Sequence, residues 1–168
     1  MKPYELAKKI SMLSQTTEVY FSYSVFETVM MGRYLHFRDN FLGKPSKDDR
    51  EIVNNCMMTL NLIDVKDKNI TQLSGGQLQR VFLARTLVQE PEVILLDEPT
   101  NHLDLKYQIE LIEYLNKWSK LENHIVIGVL HDINLAMKLS DNIMVMKDGE
   151  IKAYGNAANE ITGDLLKY

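Results

Sequence analysis

Residues 73–100 decide the fold: Leu73-Ser74-Gly75-Gly76-Gln77 opens the stretch and Val93-Ile94-Leu95-Leu96-Asp97-Glu98-Pro99-Thr100 closes it. Ser74 with Gln77 three residues on is a capping-box pattern. It starts a helix through Leu78, Phe82 and Leu87, which Glu90-Pro91 stops. Val93 to Leu96 shows no polar alternation, the pattern of a parallel strand covered on both faces. A helix leading into such a strand points to an α/β domain. The two acids just beyond the strand stand where open α/β sheets place their ligands.

The alternation continues downstream. Leu105, Ile109, Ile112 and Leu115 share one face of an amphipathic helix. Ile125 to Leu130 reads as a second buried strand, followed by a helix around Leu135. Asn142–Lys147 and Glu150–Tyr154 flank Asp148-Gly149, a strong hairpin signal. Upstream, Ile10 to Leu13 is a short strand ending at Ser14-Gln15. Beyond it the pattern turns helical. Ser24 with Glu27 forms a second capping box, opening a helix expected to end near Gly32, and Gly43 to Ser46 is a loop. A further helix opens at Ser46 with Ile52, Val53, Cys56 and Leu60 on one face. The expected organisation is one domain over 1–168, with a helical part at 22–71 inserted between the core portions 1–21 and 72–168.

Composition agrees with a single water-soluble domain. At 168 residues the chain can bury roughly 70% of its unfolded surface without disulfides. Net charge is −4 with the signs interspersed, which argues against a nucleic-acid partner. Cys56 is the single cysteine and reads as a small buried apolar residue, as in a reducing compartment. The N-terminal residues carry Lys2, Glu5, Lys8 and Lys9, unlike a signal peptide. The longest apolar runs are too short to cross a bilayer.

Several residues can carry chemistry. An acid at Asp97 can hold magnesium through its water shell, and a second at Glu98 can orient an attacking water. Gly75 and Gly76 at a helix N-terminus leave backbone N–H groups bare, where the helix dipole favours an anion. Ser74 adds a hydroxyl donor, although Ser74 and Gln77 equally serve as the helix cap. His131 follows the second strand and can donate to a terminal phosphate oxygen. Gln15 follows the first strand and could ligate magnesium through its amide oxygen. Taken singly, each has a plain structural reading.

Taken together, in order and spacing, these motifs resemble the ABC ATPase family. The carrying segments are Leu73–Gln77, Ile94–Thr100, Asn101-His102-Leu103-Asp104 and Val129-Leu130-His131-Asp132. The resemblance implies a P-loop NTPase-like parallel sheet with an inserted helical subdomain. It implies ATP and Mg²⁺ as ligands and ATP hydrolysis as the reaction. Gln15 then matches the Q-loop glutamine and Leu73 to Gln77 the family signature. Asp97 matches the magnesium-binding acid, Glu98 the general base or water-positioning carboxylate, Asp104 the aspartate at the dimer interface and His131 the switch histidine. Implied partners are a second ATPase subunit, head to tail, and transmembrane permease subunits, which puts the chain at the cytoplasmic face of the membrane. Thr28 to His36 further resembles a stretch of importers for iron–siderophore complexes, haem and vitamin B12, with Leu35 in place of their proline.

The family's Gly-x-x-x-x-Gly-Lys-Ser/Thr loop does not occur in these 168 residues. Gly43-Lys44-Pro45-Ser46 is the local lookalike, but Arg38 stands where its first glycine should be. By resemblance, the N-terminal strands and the phosphate-loop helix are therefore expected to be missing. Four charge-assisted hydrogen bonds lost with such a loop would weaken ATP binding by about 6 kcal/mol, or four orders of magnitude. The same resemblance implies an uncovered apolar edge and face on the sheet. Three alternatives stay open: a non-catalytic partner lending its signature in trans, a soluble ABC protein outside transport, and an inert relic.

Overall fold

The computed structural model describes residues 2–14, 22–38, 43–101 and 103–160. Helix α1 (Pro3–Lys9) leads directly into strand β1 (Ile10–Leu13). Next come α2 (Val25–Met30), a 3-10 turn, α3 (Tyr34–Phe37), α4 (Lys47–Thr59) and two further 3-10 turns. Helix α5 (Gly75–Leu87) returns the chain to strand β2 (Val93–Asp97). Helix α6 (Leu105–Ser119), β3 (Ile125–Val129) and α7 (Ile133–Leu139) follow. A hairpin of β4 (Asn142–Lys147) and β5 (Glu150–Asn156) precedes the short α8 (Ala157–Glu160).

The helix starts are where local chemistry puts them. Ser24, Ser46 and Ser74 each accept a bond from the N–H three residues on, and the side chain at that third position bonds back. These reciprocal contacts satisfy donors that every helix N-terminus leaves open. The hairpin turns at Asp148 and Gly149, both at positive φ (52° and 78°), which the two-residue turn requires. Helix α2 ends at Met30, near Gly32 as expected. The chain continues through a 3-10 turn into α3, and Gly32 allows a close approach. A Cβ there would lie 2.1 Å from the Arg85 carbonyl oxygen.

Strands β1, β2 and β3 form a parallel sheet in that order, and β4 and β5 form a separate antiparallel pair. The face bearing Ser11, Leu13, Ile94 and Leu96 is buried in one core with Val81, Leu83, Ile112 and Leu115. In α6 that core takes Leu111, Ile112 and Leu115, whereas Leu105 is exposed. The opposite sheet face is aligned by register: Ile10, Val93 and Ile125 in one row, Met12, Leu95 and Ile127 in the next. Ile125, Ile127 and Val129 are each more than half exposed. The expectation of strands covered on both faces is thus corrected. An unbroken apolar run records a need for cover on both sides, but among the described residues only one side receives it. Among the described residues, strand β3 also has no strand neighbour beyond it in this sheet.

The α2–α4 region is fastened to the turn after α5 by Arg33, whose guanidinium is buried. Its Nε donates to Asp49 Oδ1 at 2.9 Å, and its Nη1 donates to the Val88 carbonyl (2.8 Å) and to Glu90 (2.6 Å). His36 Nε2 lies 3.0 Å from the Gln89 carbonyl, and the Gln89 amide donates to the carbonyls of Ala7 and Ile10. The turn at 88–90 therefore ties the helices to β1. Cys56 lies against α5, with its Sγ 3.8 Å from the Ala84 carbonyl, and burial pushes its thiol up to about 12. At pH 8 this leaves roughly 10³-fold less thiolate than an unperturbed thiol. Alkylation of the native chain is expected to be slower than that of the urea-unfolded chain by a comparable factor. Equal labelling rates would show that α4 does not pack on α5.

Candidate active site at the strand ends

The carboxyl ends of β2 and β3 bring two of the singled-out side chains together. Asp97 is the last residue of β2 rather than lying beyond it. Glu98 follows at φ +48°, in the left-handed region. A non-glycine residue held there costs on the order of 1–3 kcal/mol and stays only where its surroundings fix it. The fixing is visible. Glu98 N donates to the Val129 carbonyl at 3.1 Å, and Asn101 N donates to the Glu98 carbonyl at 3.2 Å.

This backbone places the Glu98 carboxylate against the loop after β3. His131 Nε2 stands 2.5 Å from Glu98 Oε1. An ionised carboxylate can only accept, so Nε2 carries the proton in that state. Asn101 Nδ2 donates to the other oxygen, Oε2, at 2.6 Å. The imidazole is 72% exposed and the carboxylate 20%, so the histidine is the outer member of the pair. Asp97 is exposed, and among the described residues its carboxylate has no hydrogen-bond partner. Among those residues no group of three His, Cys, Asp or Glu side chains is placed to hold a metal ion. A magnesium ion suits such a place, because it takes one or two carboxylates and completes its shell with water and phosphate oxygens.

The loop that carries Glu98 is braced from two helices. Gln79 of α5 donates to the Pro99 carbonyl at 2.9 Å, and Gln108 of α6 donates to the Thr100 carbonyl at 3.1 Å. Asp104 caps α6 by accepting from the Tyr107 N–H at 3.1 Å, and remains exposed. Its cap is a structural duty that the motif reading did not foresee.

Ser74 to Gln77 stand apart from this pair. Ser74 Oγ accepts from Gln77 N at 3.3 Å, and Gln77 Oε1 accepts from Ser74 N at 3.1 Å, so the cap reading holds. Ser74 and Gly75 are exposed. Gly76 has a packing reason besides: a Cβ there would meet the Tyr107 ring at 2.7 Å. Among the described residues no hydrogen bond or ion pair joins this turn to Glu98 or His131. Gln15 lies outside the described residues, as does His102. Asn101, Gln79 and Gln108 were missed as functional candidates; the signal for Asn101 was an amide three residues after a loop carboxylate.

The family model described as ABC transporter matches residues 2–101. An uncharacterized ABC transporter ATP-binding protein of Methanocaldococcus jannaschii is 44% identical over 151 residues, covering 90% of this chain and 58% of that protein. The iron(3+)-hydroxamate import ATP-binding protein FhuC of Bacillus subtilis is 34% identical over 167 residues, covering 99% and 61% respectively. Among solved structures, a metal-chelate type ABC transporter in an inward-facing conformation superposes with a TM-score of 0.85 at 31% identity. That match covers 95% of this chain and 63% of the other. The chain thus spans less than two thirds of the length of these relatives.

Proposed function

This chain belongs to the ABC transporter family, and on that premise we propose that it is the ATP-hydrolysing part of an importer for iron–siderophore or related metal chelates. The observation that carries the reading is the meeting of Glu98 and His131 at the ends of neighbouring parallel strands, beside the unpartnered Asp97. Glu98 orients a water for in-line attack on the γ-phosphate and takes its proton as the new P–O bond forms and the bond to ADP breaks. His131, donating through Nε2, turns to a γ-phosphate oxygen. Asp97 would hold magnesium, with Gln15 in support, and the ion would neutralise charge on the phosphates. The exposed turn at Ser74–Gly76 closes over ATP held by a second ATPase subunit, with Asp104 at the junction between the two.

The substrate class follows the relatives: one is named for iron(3+)-hydroxamate import and one solved structure as metal-chelate type. The permease partner and a place at the cytoplasmic face of the membrane belong to the same proposal. Among the described residues no helix is long and apolar enough to cross a membrane. The grip on ATP comes from polypeptide other than these 168 residues, and so does the cover over the exposed face of Ile125, Ile127 and Val129.

The test measures phosphate release from Mg-ATP in two settings: a longer version that joins the family's phosphate-binding loop to these residues, and the chain mixed with an intact homologous ATP-binding subunit. Ser74→Arg introduces bulk at the turn that faces the second subunit's nucleotide. Activity of both is expected to fall by at least ~10²-fold, as it does when a transition-state contact is lost, and Glu98→Gln is expected to reduce that of the longer version. Loss with Ser74→Arg alone would identify a chain that only lends its signature to its partner. Loss with neither would remove the assignment.

A further inference from the structure

Both oxygens of Glu98 are engaged, but their two partners differ in kind. His131 arrives from the loop after β3 and is largely exposed, so it is free to turn toward a phosphate. Asn101 belongs to the same tight turn as Glu98 itself. Its own N–H is bonded to the Glu98 carbonyl, and the turn is held by Gln79 on Pro99 and by Gln108 on Thr100. Thr100 between them is buried. The donor on Oε2 therefore keeps its place when the imidazole leaves Oε1.

A free carboxylate rotates broadly about its last torsion, exchanging its two oxygens. A fixed donor on one oxygen selects one plane and leaves the other oxygen facing the substrate side. We propose that Asn101 is a positioning residue: it orients the Glu98 carboxylate so that Oε1 is presented to the attacking water. This rests on the reading of Glu98 as the residue that activates water. The competing explanation is that Asn101 merely forms the turn, a duty for which asparagine and aspartate are about equally suited. Asn101→Asp separates the two, because it keeps shape and turn preference while removing the donor.

Two measurements test the proposal. The first needs no turnover: carboxyl-¹³C glutamate and ring-¹⁵N histidine NMR of the full chain. In Asn101→Asp and in Asn101→Ala, the Glu98 carboxyl signal is expected to shift or broaden and the His131 Nε2 signal to move. Backbone amides away from the turn should keep their positions. The second is phosphate release by a longer version that joins the family's phosphate-binding loop to these residues. Asn101→Asp is expected to lower the maximal rate by at least ~10-fold, within the range for a misplaced catalytic group, and to leave half-saturating ATP within about two-fold. An unchanged Glu98 signal in Asn101→Asp, or a wild-type maximal rate, overturns the proposal. If Glu98→Gln itself leaves turnover intact, the underlying reading fails. If Glu98→Gln stops turnover and Asn101→Asp does not, the positioning role alone fails.

Discussion

Replacing Glu98 by glutamine is expected to lower ATP turnover by about 10²–10⁴-fold, the usual worth of a positioned general base, while the fold persists. Glutamine nearly matches glutamate in size, and Glu98 is held in its left-handed conformation by backbone bonds that the substitution leaves in place. The chemistry changes instead. A carboxylate accepts from both Asn101 and His131, whereas a carboxamide offers one acceptor and one donor. One contact must reverse or break, and no group remains to take a proton from water. The measurement is phosphate release by a longer version that joins the family's phosphate-binding loop to these residues, alongside thermal unfolding to show an unchanged fold. Near-wild-type turnover in a well-folded variant would sink the catalytic assignment.

The second large effect concerns stability. Arg33→Ala is expected to cost about 3–5 kcal/mol, because removing one member of a buried ion pair strands the other. Arg33 and Asp49 side chains are only 6% and 7% exposed. Burial alone would push the Asp49 carboxyl up. Hydrogen bonds from Ser46, then the Arg33 guanidinium, outweigh it and hold the carboxyl below its usual range. A carboxyl lowered in the folded state contributes stability above its unfolded pKa of about 4, and that contribution is lost as pH falls through the folded value. Urea unfolding at pH 7 and at stepwise lower pH checks both points. Arg33→Ala should lose most at neutral pH, and its deficit should shrink in acid. A loss under about 1 kcal/mol, or a deficit independent of pH, would show that Arg33 does not anchor the helices.

Much of this was legible in short sequence patterns because the forces concerned act over three or four residues. The capping boxes at Ser24 and Ser74, the helix start at Ser46 and the Asp148-Gly149 turn are of that kind, and all four stand where expected. The parallel strands were also readable from their apolar runs. What covers a strand is a different matter. Nothing within Ile125 to Leu130 tells whether a helix lies on its outer side, so the cover expected from the run alone was wrong there, whereas the family resemblance had implied an uncovered face. Arg33 escaped notice because its partners, Asp49, Val88 and Glu90, are 16 to 57 residues away. Asn101 sat inside a recognised motif, but its bond to Glu98 depends on a backbone angle that spacing does not encode. Leu105 fitted a helical apolar face by periodicity and is exposed in fact.

The bare edge and face of β3 have a consequence for how the protein behaves as a population. A separate polypeptide that covered Ile125, Ile127 and Val129 in the folded state alone would make the apparent melting temperature a function of its concentration. A strand edge left open is also a template for pairing with another copy, so light scattering by these 168 residues alone is expected to rise with their concentration.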